Sequence, residues 1–168
     1  EPWIFAGARC SIPSCTITEN ADEVFALFAS DADPKSLKIY AQFNGYGAPS
    51  IVESAVDPAF IKQGYIYLGV TRYGEDPRNP DPNYYADIWT HELKNYCFRN
   101  NDGAVENTDY FKMLMRDLRA MQFAKTFDEW NGKDLIVNGG SMGGWQAIAS
   151  TAGDPDVTEG NATIPWSS

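Results

Sequence analysis

Short apolar runs, each bounded by turn-forming residues, predict five β-strands along this chain. The runs are rich in valine, isoleucine, tyrosine and phenylalanine, whose branched or flat side chains suit the pleated surface of a sheet. The predicted strands cover residues 24–28, 38–43, 64–70, 134–137 and 162–166. The second and third strands run directly into glycine-containing turns at 44–47 and 71–74.

Apolar residues spaced three and four positions apart predict one long amphipathic helix that ends near residue 124. Asn107, Thr108 and Asp109 precede its apolar face and offer side-chain oxygens that can cap the first turn. The apolar positions are Phe111, Leu114, Met115, Leu118, Met121 and Ala124. Shorter helices are predicted at 58–63, 86–98 and 145–151.

Two segments are predicted to interrupt regular structure. Residues 75–85 contain three prolines, which lack the backbone N–H that helices and sheets use, so we expect an irregular excursion there. Such long loops often carry function or shield a site. The Asn-Gly-Lys triplet at 131–133 is predicted to separate the long helix from the strand that follows it.

The order of these elements predicts the fold class. Several strands are followed by strand, helix, strand, helix and strand, which indicates an α/β protein with a mostly parallel sheet flanked by helices. A length of 168 residues suits a single domain, so residues 1–168 are interpreted as one unit. Residues 1–35 are interpreted as an N-terminal extension or edge strands of that domain.

Composition narrows the classes of partner. Hydrophobic residues make up 43% of the chain, which is enough for a packed core and argues against intrinsic disorder. The 13 basic and 23 acidic side chains give a net charge of −10, which disfavours binding to nucleic acid. No run of about 18 apolar residues occurs, so no membrane-spanning segment and no membrane partner are predicted.

The cysteines and the single histidine bear on compartment and metal binding. Cys10 and Cys15 are close enough in sequence for a local disulfide, while Cys97 stands apart. This usage favours a secreted or periplasmic protein, with reduced thiols in the cytoplasm as the alternative. Because His91 is the sole histidine, a histidine-rich metal site is excluded, and we expect neither metal nor cofactor.

One glycine-rich segment, VNGGSMGGWQ, points to chemistry. Gly139, Ser141 and Gly143 fit the G-x-S-x-G pattern, in which a strand turns sharply into a helix and exposes a nucleophilic serine. The apolar run before the pattern and the helical sequence after it supply that context. Glycines are needed two residues before and after the serine because side chains there would collide. The alternative is a glycine-rich helix start that merely packs against the sheet.

A nucleophilic serine also needs donors for the negative oxygen that forms during acyl transfer. The backbone N–H of Met142 follows the serine directly, at the start of the helix. The second donor commonly comes from the loop after an early strand, and Tyr46 in the turn Gly45-Tyr46-Gly47 has that placement. The alternative is that 44–47 is an ordinary turn.

Residues 110–166 resemble the acetyl xylan esterase and cephalosporin C deacetylase family of α/β-hydrolases. The resemblance rests on the long helix, the strand DLIV, the GGSMGG segment and the later TIPWSS, and it extends weakly from residue 36 to 168. The NGYG turn resembles the family's oxyanion turn. TRYG at 71–74 resembles its Arg-Gly-x-Gly motif, with Tyr73 in place of the first glycine.

The resemblance implies an α/β-hydrolase fold and a serine esterase that removes acetyl groups from sugars or related small esters. It makes Ser141 the nucleophile and needs no metal. Trp145 and Tyr73 are candidates for stacking on a sugar ring. Arg72 is a candidate for orienting the turn around Tyr46, with a plain surface position as the alternative.

The catalytic triad is incomplete in this sequence. In α/β-hydrolases the order is serine, then Asp or Glu, then histidine. Only 27 residues follow Ser141 and none is histidine, while Asp154, Asp156 and Glu159 come too early for the acid. His91 precedes the serine and is disfavoured as the base. We therefore interpret the chain as the N-terminal portion of the fold and expect a C-terminal segment or companion chain to supply Asp and His.

The sequence thus favours a carboxylic ester hydrolase that acts on a carbohydrate or other small-molecule ester through an acyl-enzyme. Two alternatives stay open. A serine peptidase of the prolyl-oligopeptidase type shares the serine pattern, and an inactive carbohydrate-binding or scaffold protein would keep the fold without a base.

Overall fold

A six-stranded sheet organises the part of the chain that the structure, a computed structural model, describes. The described residues are 3–5, 24–29, 31–47, 55–71, 75, 79, 81–92 and 103–165. The strands are β1 (Trp3–Phe5), β2 (Val24–Ala29), β3 (Leu37–Phe43), β4 (Tyr65–Val70), β5 (Trp130–Gly140) and β6 (Glu159–Thr163). The α-helices are α1 (Pro58–Ile61), α2 (Pro82–Asp87), α3 (Asp109–Ala124) and α4 (Met142–Gly153). A π-helical turn, Ile88–Glu92, and a 3₁₀ turn, Val105–Asn107, complete the described helical elements.

The strand order across the sheet is β1-β2-β4-β3-β5-β6. The first two strands pair antiparallel, and β2 pairs antiparallel with β4. From β4 to β6 all pairs are parallel, with Ile39 of β3 opposite both Ile66 of β4 and Leu135 of β5. The prediction of a mostly parallel sheet flanked by helices is confirmed.

The core lies on the face of the sheet that α3 and α4 cover. Alternate residues of a strand point to the same face, and those that face the helices are almost fully buried. They are Leu37, Ile39, Ala41 and Phe43 from β3, Ile66, Leu68 and Val70 from β4, and Leu135 and Val137 from β5. Ala120, Met121 and Ala124 of α3 and Ala147 of α4 pack against them. Each large side chain buried in this way contributes about 1.5–3 kcal/mol.

The opposite face carries a cluster of aromatic rings. Phe60 of α1 stacks on Tyr65 with ring centroids 4.7 Å apart and meets Tyr40 edge-on at 4.8 Å. Tyr67 lies 6.1 Å from Tyr40. Burial raises the pKa of Tyr67, and the neighbouring Tyr40 raises it further, so this phenol stays neutral at every physiological pH. The short helix α1 is thereby fixed to β3 and β4.

The long helix begins and ends where the sequence predicts. Thr108 is its N-cap, and its side-chain oxygen accepts a hydrogen bond from the backbone N–H of Phe111 at 3.3 Å. The apolar face of α3 turns toward the sheet, as its spacing requires. Within the described residues, no helix combines the length and the apolar character needed to cross a bilayer.

The expectation that residues 75–85 are irregular is wrong at its C-terminal end. Helix α2 begins at Pro82, because proline is tolerated at the first helical position, where its missing N–H would have no helical partner. Asp81 caps the helix and accepts the Asn83 N–H at 2.9 Å. The helix predicted at 86–98 is present only as the end of α2 and the π-helical turn, and residues 93–98 lie outside the described part.

The predicted bounds of the last two strands are also wrong. Asn131, Gly132 and Lys133 belong to β5, where the Asn131 side-chain oxygen accepts two backbone N–H groups at 2.9 Å. β6 begins three residues before the predicted position and ends at Thr163. All its residues are exposed, so no apolar pattern marks it, and backbone pairing with Ile136 to Gly140 defines it instead.

An ion pair joins the C-terminal ends of α3 and α4. The Lys125 ammonium lies 2.7 Å from Asp154 and 2.6 Å from Asp156. Asp154 is only 5% exposed. Burial alone would lower the pKa of Lys125, but hydrogen bonds to both carboxylates outweigh it and raise the pKa. This contribution to stability is therefore complete below the ordinary lysine pKa of 10.5 and is lost as the pH rises above it.

Lys125→Met is expected to lower the free energy of unfolding by about 1–3 kcal/mol, because it leaves the buried Asp154 carboxylate without its cation. Chemical denaturation at neutral pH measures this. Lys133→Met is the matched control, since Lys133 is exposed on β5, and its effect should stay within about 0.5 kcal/mol. Equal effects of the two substitutions would contradict a structural role for the ion pair.

Candidate active site

Ser141 lies between the end of β5 and the start of α4. Its backbone has φ 56° and ψ −119°, a conformation that side-chain-bearing residues rarely adopt, and its side chain is exposed. Its N–H donates to the Thr163 carbonyl at 3.0 Å, and its carbonyl accepts the Trp145 N–H at 3.2 Å. Strained backbone that its surroundings hold in place is characteristic of functional positions.

The serine turn (residues 139–143) depends on contact between backbones. A Cβ atom at Gly139 would overlap the carbonyl group of Gly143, and a Cβ at Gly143 would overlap the carbonyl group of Phe43. Neither neighbour can rotate away, because both are main chain. The ends of β3 and β5 and the first turn of α4 therefore meet where only glycine fits.

The Tyr46 turn (residues 44–47) lies against the serine. A Cβ atom at Gly45 would lie 3.6 Å from the Ser141 Cβ, an ordinary contact distance. Tyr46 follows directly, and its side chain is 46% exposed. Met142 is the first residue of α4, where backbone N–H groups point out of the helix N-terminus. The fold thus brings the residue before Tyr46 against Ser141, and the oxyanion role of the Tyr46 and Met142 N–H groups stays a prediction.

A hydrogen-bond network on the face of the sheet opposite α3 and α4 joins the two turns. Asn138 of β5 donates to the Gln42 side chain at 2.8 Å, and these two residues are paired in the β3–β5 register. Gln42 in turn donates to the Asn44 side chain at 3.2 Å. The sequence interpretation missed these residues, although amide side chains near the ends of both strands, just before the glycine-containing turns, were a usable signal.

A second polar pair holds α4 from behind. The Gln146 amide donates to both carboxylate oxygens of Asp117 at 3.0 and 2.9 Å, and both residues are at most 1% exposed. Gln146 is five residues beyond Ser141, so this bond to α3 fixes the helix that carries the serine. An amphipathic pattern treats Asp117 as a solvent-facing charge, which is why it was missed.

The aromatic candidates have different surroundings. Trp145 packs against Tyr110 of α3 with ring centroids 4.8 Å apart. Trp89, which the sequence interpretation did not single out, lies edge-on to Tyr46 at 5.4 Å. Arg72 and Tyr73 lie outside the described residues, so their predicted roles stay predictions. The same holds for a Cys10–Cys15 disulfide.

The titratable residues considered as acid or base have other partners. His91 is exposed in the π-helical turn, with its Nδ1 3.2 Å from the Asp87 carbonyl. Asp154 and Asp156 bind Lys125, and Glu159 accepts a hydrogen bond from Asn161. Among the described residues, no hydrogen bond joins the Ser141 hydroxyl to a histidine or a carboxylate. In that same part, no group of three or more His, Cys, Asp or Glu residues is arranged to hold a metal ion.

Gly143→Ala is expected to destabilise the protein by at least about 3 kcal/mol, because the new methyl group would overlap the Phe43 carbonyl. Gly45→Ala is the matched control, since its Cβ would meet neighbours at 3.5 Å or more, and its cost should stay below about 1 kcal/mol. Thermal or urea unfolding measures both. A well-tolerated Gly143→Ala would show that this close approach does not constrain the turn.

Comparisons with known proteins complete this description. No family model matches the chain. The acetyl esterase Axe7A of Xylanibacter ruminicola is 26% identical over 121 residues, which cover 72% of this chain and 28% of that protein.

Two solved esterases share the fold. An acetyl xylan esterase from Paenibacillus sp. R4 superposes with a TM-score of 0.65 at 16% identity, over 87% of this chain and 46% of its own. Acetyl xylan esterase 1 from Thermoanaerobacterium sp. JW/SL YS485 also superposes with a TM-score of 0.65, at 15% identity, over 86% of this chain and 44% of its own. This chain therefore spans less than half the length of these relatives. It has the α/β-hydrolase fold, and its resemblance to the acetyl xylan esterases is confirmed.

Proposed function

We propose that this chain carries the nucleophile of a serine carboxylic ester hydrolase that removes acetyl or other small acyl groups from carbohydrate or related esters. The observation that carries the proposal is the exposed Ser141, held at φ 56° between β5 and α4. The similarity of this chain to an acetyl esterase supports an esterase over a peptidase.

The reaction proceeds in two steps. The Ser141 Oγ attacks the ester carbonyl carbon while a base takes its proton, and the alcohol leaves with a proton, which forms an acyl-enzyme. Water then attacks the same carbon, so that the acid is released and the serine hydroxyl is restored. In both steps the carbonyl oxygen becomes negative, and the N–H groups of Tyr46 and Met142 stabilise it.

The base and its carboxylate partner come from a C-terminal segment or a companion chain. This part of the proposal is supported by the chain order of α/β-hydrolase triads, in which both residues follow the serine. It is also supported by the ion pair of Asp154 with Lys125, because that carboxylate already has a structural partner. We further propose a secreted or periplasmic location on the basis of the cysteine spacing.

Ser141→Ala is expected to abolish covalent labelling by a fluorophosphonate probe and to lower acetyl ester hydrolysis at least about 10³-fold, because no other group can form the acyl-enzyme. Gel fluorescence and a titration of released acetate measure these effects in the complete protein. Ser36→Ala, an exposed serine outside the site, is the matched control.

The same assay separates the alternatives. Labelling of Ser141 with turnover of proline-containing peptides, and not of acetyl esters, would indicate a peptidase. If the complete protein shows no labelling and no turnover, it is an inactive binding protein. Unchanged labelling of Ser141→Ala would refute the assignment of the nucleophile.

Gln42→Leu is expected to lower kcat for an acetyl ester about 10-fold or more with a smaller change in KM. The substitution removes the bond from Gln42 to Asn44, so the Tyr46 turn loses part of its alignment with the developing negative oxygen. Steady-state kinetics measure this. Gln63→Leu, an exposed glutamine beyond α1, is the control. A change in KM alone would point to ground-state binding.

A further inference from the structure

Two exposed aromatic side chains lie in contact at the turn that meets the serine. Tyr46 and Trp89 are each 46% exposed, and their rings meet edge-on with centroids 5.4 Å apart at 75°. The other large hydrophobic side chains that are exposed in the described residues, Val105, Ile148 and Ile164, are aliphatic. Among the described residues, Tyr46 and Trp89 are therefore the aromatic side chains with the largest exposed fractions.

The Tyr46 turn connects this pair directly to the nucleophile. At one end of the turn, a Cβ on Gly45 would lie 3.6 Å from the Ser141 Cβ. At its other end, a Cβ on Gly47 would lie 3.5 Å from the Trp89 Cζ2. Two residue steps span at most about 7 Å. The Tyr46 turn alone thus separates the indole from the serine.

The segment that presents Trp89 is anchored by a buried side chain. Ile88 begins the π-helical turn and is only 7% exposed, whereas Trp89, Thr90 and His91 are exposed. π-helical geometry is rare, and it occurs often at functional sites. Here it follows α2 directly and places the indole against Gly47.

We propose that Trp89 and Tyr46 form the binding surface for the neutral sugar ring that carries the ester, an inference that rests on the proposed function. The flat aromatic rings contact the apolar C–H face of a pyranose, while the indole N–H and the phenol O–H lie at ring edges suited to sugar hydroxyls. The net charge of −10 on this chain favours a neutral sugar over an acidic one through long-range repulsion. Few polar groups around an aromatic surface are typical of small-molecule sites.

The test compares two esters in the complete protein. Acetylated xylotriose presents a neutral sugar, and ethyl acetate presents the same acyl group without a ring. Trp89→Ala and Trp89→Leu are expected to raise KM for acetylated xylotriose about 10-fold, and to change kcat/KM for ethyl acetate several-fold less than kcat/KM for the sugar ester. Trp89→Phe should retain most of the affinity because it keeps a flat ring.

Ile148→Ala, which removes an exposed aliphatic side chain from α4, is the matched control and should change neither ester. A second measurement does not depend on turnover. Calorimetry should detect xylotriose binding to Ser141→Ala and about 10-fold weaker binding to the Ser141→Ala/Trp89→Leu double variant. If Trp89→Ala fails to fold, this binding measurement on the Trp89→Leu double variant tests the sugar surface instead.

The two proposals fail differently. Equal changes for both esters, no change for either, or equal xylotriose binding by the single and double variants would overturn the sugar surface while leaving Ser141 as nucleophile. Hydrolysis that survives Ser141→Ala would overturn the proposed function itself.

Discussion

The contact between main-chain atoms at the carboxyl ends of β3 and β5 is the constraint on which the rest of the site depends. Gly139 and Gly143 let the first turn of α4 pack directly on the Phe43 carbonyl group. Helix propensity alone would favour alanine at residue 143 by about 1 kcal/mol. The packing conflict that an alanine would create is larger, so glycine is retained and the chain turns sharply at Ser141.

The two buried polar contacts on α4 hold this arrangement from the side of the core. Gln146 binds Asp117 near the start of the helix, and Lys125 binds Asp154 at its end. Both contacts join α4 to α3, which itself packs on the sheet. A strained backbone conformation persists only where the surrounding structure holds it in place. These bonds, together with the hydrogen bond from the Ser141 N–H to the Thr163 carbonyl, hold the serine backbone.

The sequence predicted elements with a strong period and missed those without one. The apolar spacing and the Thr108 cap identified α3, and the β-rich apolar runs that end in glycine-containing turns identified β3 and β4. β6 escaped because its side chains are all exposed and only backbone pairing with β5 defines it. The start of α2 was missed since prolines were treated as breakers, although Pro82 occupies the one helical position that tolerates proline.

By itself, the sequence determined the fold class, the position of the serine and the need for glycine around it, because these depend on local pattern and local sterics. It also showed that none of residues 142–168 is a histidine. Only the tertiary structure decided which distant residues meet: Gln42 with Asn138, Asp117 with Gln146, and Trp89 with Tyr46. These pairs are 96, 29 and 43 positions apart in the chain. No local period encodes such contacts, since they arise from the strand register and the packing of helices on the sheet.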